Sequence, residues 1–122
     1  MYVFLLSQVK ILIGHPDLAG KLADQNLLTP ESTLEQREAG LHLLTLEQKQ
    51  TLKTLNDAYR DKFGFTFIIC ARQNKAAAIL EGLTKRLVSS REEEINVGIG
   101  EVKKIAKLRA IDILRKINIS KL

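Results

Sequence analysis

Arg109 is the residue in this sequence that packing explains least well. On a helical wheel Ile95, Ile99, Val102, Ala106 and Ile113 form one apolar stripe, and Arg109 lies in its middle, between Ala106 and Ile113. A guanidinium cannot be neutralised, so a buried face holds it only with an anion beside it. Two anions qualify: a glutamate of the same chain, or the carboxylate of a ligand. His15 stands at a helix break, before Pro16 and Asp17. Imidazole is the side chain best suited to moving protons near neutral pH, although a lone loop histidine is more often simply polar. Ser32, Glu35 and Gln36 gather at one expected helix start, where free N–H groups and partial positive charge suit an anionic ligand. Ser32-Thr33-Leu34-Glu35 also fits a capping box, with Ser32 as N-cap and Glu35 at the third helical position. Capping and ligand contact do not exclude each other. His42, set among Leu41, Leu43 and Leu44, reads as structural, and Cys70, in an apolar run, as a small buried hydrophobe.

Helices must position these groups. Residues 1–13 read as the first, broken at Gly14-His15-Pro16 because the residue before a proline avoids helical backbone. Residues 15–31 read mostly as connection, with Thr29-Pro30 as a turn. A helix over about 33–43 follows from the Ser32 box, and one over about 46–63 from a second box, Thr45-Leu46-Glu47-Gln48. The latter places Leu52, Leu55 and Tyr59 on one face and stops at Gly64. Phe65–Cys70 is a short apolar, strand-like run. Asn74 is the expected cap of a helix over about 75–88, and Ser90-Arg91-Glu92-Glu93 opens the longest helix, over about 91–117. Gly98 and Gly100 inside that helix cost roughly 1 kcal/mol each against Ala and are expected to kink it or delay its start.

Composition agrees with an all-α, single-domain helical bundle. The chain has 122 residues, 45% hydrophobic and 27% charged, enough for one core and too apolar for whole-chain disorder. With Pro 2, Gly 7 and aromatics at 5%, a many-turned β fold is disfavoured. One cysteine excludes an intramolecular disulfide framework and any multi-cysteine zinc site. No phosphate-binding loop, dinucleotide glycine fingerprint or His-x-x-x-His metal pair is present, nor a nucleic-acid signature with interleaved aromatics. Charge is uneven: residues 1–61 hold 6 Lys/Arg against 8 Asp/Glu, and the rest 13 against 6. The basic half reads first as lysines solvating a long helix, with nucleic acid, an anionic membrane or an anionic small molecule as other partners. The apolar stretch Met1–Gly14 is too short and too polar to span a membrane, and it lacks the features of a signal peptide. Ser120-Lys121-Leu122 is the peroxisomal address if the source is eukaryotic; in a bacterium the expected location is the cytoplasm.

The residues so far singled out carry a family resemblance. His15-Pro16-Asp17-Leu18-Ala19-Gly20-Lys21 resembles the HPDLAGK signature of OHCU decarboxylases, which convert 2-oxo-4-hydroxy-4-carboxy-5-ureidoimidazoline (OHCU) to (S)-allantoin and CO2 in urate degradation. Leu28-Thr29, Ser32 to Gln36 and Ala39-Gly40-Leu41 are similar to the segment that follows in the family. Lys62-Phe63-Gly64-Phe65-Thr66-Phe67-Ile68-Ile69-Cys70-Ala71-Arg72 resembles KFGFPFIICAR, and Glu101 to Arg109 resembles the family's E..KIA.LR segment. The likeness covers nearly the whole chain, with several motifs in the right order. It implies a catalytic trio of His15, Glu35 and Arg109. Substrate contacts would come from Pro16, Ser32 and Gln36, from Arg109 itself, and from backbone groups of Phe65, Phe67 and Ile69 within 65–69.

The implied chemistry needs no cofactor and no metal. Loss of CO2 leaves an electron pair that the ring holds as an enolate, which is then protonated on one face. Arg109 would fix an anionic group, Glu35 and Gln36 would orient ureido or ring N–H groups, and His15 would hold the hydroxyl or move the proton. Backbone N–H groups at 65–69 would stabilise the developing oxyanion.

The resemblance further implies a homodimer and a functional link to a 5-hydroxyisourate hydrolase and a urate oxidase upstream, with no nucleic-acid or membrane partner. Two departures stand out. Thr66 replaces the family's usual Pro, which loosens that loop, and the family's further N-terminal helical segment is missing ahead of His15. Residues 1–122 are therefore expected to form one N-terminally short domain with an exposed apolar first helix, prone to dimerise or swap. The alternative is a folded but inactive member acting as a binding or structural remnant. A basic nucleic-acid-binding module is a third reading, marked by a steep salt slope on heparin.

Overall fold

Thr45 and Gln48 cap each other's backbone N–H groups, at 3.1 and 3.0 Å, and so start the helix around which the rest is built. In a computed structural model that describes residues 2–120, six helices run in order. They are α1 (Tyr2–Ile13), α2 (Lys21–Asp24), α3 (Pro30–Glu38), α4 (Leu46–Phe63), α5 (Ala76–Arg86) and α6 (Arg91–Ser120), with 3₁₀ turns at Leu41–Leu43 and Ala71–Gln73. There is no strand among the described residues. Lys121 and Leu122 of the expected peroxisomal tripeptide lie outside them, as does Met1. No described helix is long and apolar enough to cross a membrane.

α4 is amphipathic as its spacing requires, burying Leu52, Asn56, Tyr59 and Phe63. It ends where Gly64 turns left-handed at φ 81°, a conformation that side chains disfavour. Tyr59 and Phe63 meet Phe65 and Phe67 in an aromatic cluster with ring centroids 4.5–6.0 Å apart, each pair adding about 0.5–1.5 kcal/mol beyond its area. Phe65–Cys70 is thus extended and buried, as its apolar run suggests, but no strand pairs with it.

α6 passes straight through both glycines. A Cβ on Gly98 would meet Leu12 Cδ2 at 2.9 Å, so this glycine lets α1 lie close against α6 rather than bending it. The apolar stripe of α6 is buried only at its start: Ile95 is 2% exposed and Ile113 59%.

Three helix starts differ from expectation. α3 begins at Pro30, not Thr33, because Thr29 Oγ1 accepts from Ser32 N at 3.2 Å and proline suits the first helical position. It also ends earlier, before the left-handed Gly40. α2 is a short helix within the stretch read as connection. Asn74 does not cap α5; its amide donates to the Cys70 carbonyl at 2.9 Å, and Lys75 takes the cap position.

Candidate functional site

The shift in α3 changes what Glu35 can do. Thr29 is the N-cap, so Glu35 is free of the capping role that the sequence offered. Its carboxylate faces α6 and accepts two hydrogen bonds from Arg109, from Nε at 2.9 Å and from Nη2 at 2.7 Å. Arg109 Nη2 also donates to Ser32 Oγ at 3.3 Å. This is a bidentate, charge-assisted pair, partly shielded from water. The bond to Glu35 raises the Arg109 guanidinium above its ordinary value, against partial burial. Of the two anions that Arg109 could require, the chain therefore supplies one itself.

His15 follows α1, and its Nδ1 lies 3.0 Å from the Ile11 carbonyl. A carbonyl only accepts, so Nδ1 is the donor in this bond and Nε2 is the ring nitrogen left for another partner. The loop that bears His15 is anchored twice. Asp17 pairs with Arg60 of α4, and Ala19 N donates to Gln36 Oε1 at 2.8 Å. Gln36, buried in α3, spends its carbonyl on the loop and keeps its NH2 for another acceptor.

These residues converge. His15, Pro16, Ser32, Glu35, Gln36 and Arg109 line one cleft, with Phe67, Ile68 and Ile69 as its floor and Leu18, Ala71 and Ile105 as apolar wall. Phe65 is the exception: its ring sits in the aromatic cluster, 1% exposed, and it borders the neighbouring hollow with Thr66 and His15. Among the described residues, no amide N–H from Phe65 to Ile69 has a hydrogen-bond partner within the chain. Buried amides are nearly always paired, so donors left open beside a cleft are suited to a ligand's oxygens. The free volume is about 40 Å³, room for a few waters, and the Glu35–Arg109 pair is part of its lining. No group of metal-binding side chains occurs among the described residues.

The sequence profile of OHCU decarboxylase matches residues 6–111. The chain belongs to the OHCU decarboxylase family. The 2-oxo-4-hydroxy-4-carboxy-5-ureidoimidazoline decarboxylase of Xenopus laevis is 48% identical over 84% of this chain, and that of Mus musculus 44% over 88%. The chain spans 59% and 60% of the lengths of those two relatives. A crystal structure of an OHCU decarboxylase in the presence of (S)-allantoin superposes with a TM-score of 0.73 at 26% identity, covering 89% of this chain and 68% of that one. The all-α fold is thus that of the OHCU decarboxylases.

Several residues of the site escaped sequence reasoning. Leu18, Ala71 and Ile105 carry no chemical signal, since an apolar wall looks like core. Arg86, with its partner Glu94, and Glu101 bond the main chain at Ile68 and Cys70, beside the cleft residues. The 7-residue spacing of Glu94 and Glu101, two turns on one face of α6, was the available clue.

Proposed function

We propose that this chain catalyses cofactor-independent decarboxylation of OHCU to (S)-allantoin and CO2, as a step of urate breakdown. The observation that carries the reading is the meeting of His15, the Glu35–Arg109 pair and the open amides of 67–69 in one cleft of a chain of this family. The substrate carries hydroxyl and carboxylate on one ring carbon and the ureido group on the next. When the C–CO2 bond breaks, its electron pair forms a C=C bond to the ureido-bearing carbon, whose ring C=N bond passes its pair to the nitrogen, which takes a proton. The hydroxyl then gives up its proton to become the carbonyl as the C=C pair takes a proton on one face of the ureido-bearing carbon.

An anionic substrate would compete with Glu35 for Arg109. Turning Arg109 toward the substrate would also open the cleft, and Glu35 would then accept from ureido or ring N–H groups. His15 Nε2, the ring nitrogen that Ile11 does not engage, is the base for the hydroxyl proton. The Gln36 NH2 donates to a substrate carbonyl, and the amides of 67–69 receive the developing negative charge. We also propose that the chain forms a homodimer and works downstream of the enzymes that oxidise urate and hydrolyse the first product. Exposed Phe4, Ile11 and Ile13 on α1 and Ile113, Leu114 and Ile117 on α6 support self-association.

The test is circular dichroism of the chiral product. OHCU is generated enzymatically from urate, the chain is added, and the (S)-allantoin signal is followed against slow racemic decay. A fast, one-handed signal is expected. A folded chain that leaves the decay racemic is a non-catalytic member of the family, and the proposal is then wrong.

A further inference from the structure

The buried stretch 65–70 has no neighbouring strand among the described residues, and charged side chains grip its main chain instead. Arg86 Nη1 donates to the Ile68 carbonyl at 2.7 Å. Glu101 Oε1 accepts from Cys70 N at 3.2 Å. Arg86 is itself clamped: its Nε donates to Glu94 Oε1 at 2.7 Å, and the same oxygen accepts from the Tyr59 hydroxyl at 2.7 Å. Its guanidinium also sits 4.5 Å from the centre of the Phe67 ring. Glu94 is 1% exposed, so this is a costly group to bury and requires both partners.

None of Arg86, Glu94, Tyr59 and Glu101 lines the cleft, yet Arg86 bonds the main chain of a residue that does. The carbonyl of Ile68 and the N–H of Ile69 belong to one planar trans peptide and point in opposite directions. A guanidinium that holds the carbonyl toward the α4–α5–α6 side turns the N–H the other way. Ile69 lines the cleft, and its N–H has no hydrogen-bond partner among the described residues.

We propose that Arg86, clamped by Glu94 and Tyr59, is a positioning residue that fixes the Ile68–Ile69 peptide plane and aims the Ile69 N–H at the charge developing on loss of CO2. The proposal rests on the decarboxylase reading for the identity of that charge, but not for the peptide geometry. Arginine is suited to the task because its planar fork reaches the carboxylate and the carbonyl together, which an ammonium on a flexible stem does not reproduce.

Two variants test it. Arg86→Lys keeps the charge opposite Glu94, and the double variant Arg86→Met/Glu94→Gln removes the ion pair while leaving an acceptor for Tyr59. Folding is verified by far-UV circular dichroism. Both variants are expected to shift the Ile69 amide in 1H–15N spectra. Both should lower kcat by about tenfold or more with KM changed less than threefold, as loss of a donor used only in the transition state predicts, and reduce the excess of (S)-allantoin. A merely structural role would lower the melting temperature and leave kcat per folded molecule intact. An unmoved Ile69 amide together with kcat within twofold of the parent overturns the proposal. Should the parent chain fail to turn over OHCU, the decarboxylase reading falls, and the Ile69 amide in the two variants still decides whether Arg86 sets that peptide.

Discussion

Arg109 holds Glu35 through Nε and Nη2, and the proposed function requires a substrate anion to compete with that carboxylate. Because the pair is about a third exposed on the arginine side, it adds little to folding, within the 0–1 kcal/mol usual for such pairs. Arg109→Leu should therefore leave the melting temperature within a few degrees, yet cut kcat/KM by roughly 10²–10³-fold in the dichroism assay. Full activity in that variant would remove the arginine from the mechanism. His15→Ala should cost roughly 10²–10⁴-fold in kcat, the range for a positioned acid–base group. Glu35→Gln is informative because Thr29, not Ser32, caps α3, so a loss of rate there cannot be assigned to a broken cap.

At the scale of elements, α6 acts as a ruler. It docks α1 at Gly98, holds the 65–70 stretch through Glu94 and Glu101, and delivers Arg109 two turns further on. Gly98→Val should destabilise by roughly 1–3 kcal/mol, since its branches press on Leu12. Gly100→Ala meets nothing within 4 Å and should add about 0.5–1 kcal/mol by helix propensity. Urea midpoints of the two variants test the pair of statements.

Tyr59 ties α4 to the same helix. Burial, and then the bond to Glu94, push its phenol well above the ordinary value near 10. The unfolded chain loses that proton near pH 10 while the folded chain keeps it, so folding stability falls as pH rises above about 10. Urea midpoints at pH 8 and 10.5 should show the fall, and Tyr59→Phe should make it shallower.

Across the whole molecule, charge and apolar surface divide the tasks. Lys103, Lys104, Lys107 and Lys116 are exposed on α6, so most of the basic excess solvates one long helix, the simplest reading of that charge. The α6 face beyond Ile113 and the outer side of α1 remain uncovered and apolar. Such patches are expected to associate in water. Sedimentation velocity should give a dimer at micromolar concentration, and Ile113→Glu with Ile117→Glu should shift the boundary to monomer. A parent chain that sediments as a monomer would exclude the homodimer.

Local chemistry was legible where neighbours in sequence decide it. The Thr45–Gln48 box and Gly64 define α4 within one residue, and helical periodicity marks Arg109 as a charge on an apolar face. The motif order of His15, Glu35 and Arg109 pointed to the family and its fold. Tertiary structure alone decided what those residues touch. The sequence reads Thr29-Pro30 as a turn and Ser32 as the cap, whereas in the structure Thr29 is the cap and Pro30 takes the first helical position. Only that shift freed Glu35 for Arg109, 74 residues away in the chain. The partner of Gly98 and the hold of Arg86 on Ile68 are likewise contacts between distant segments. Periodicity says which face a residue occupies, and only packing says what lies opposite it.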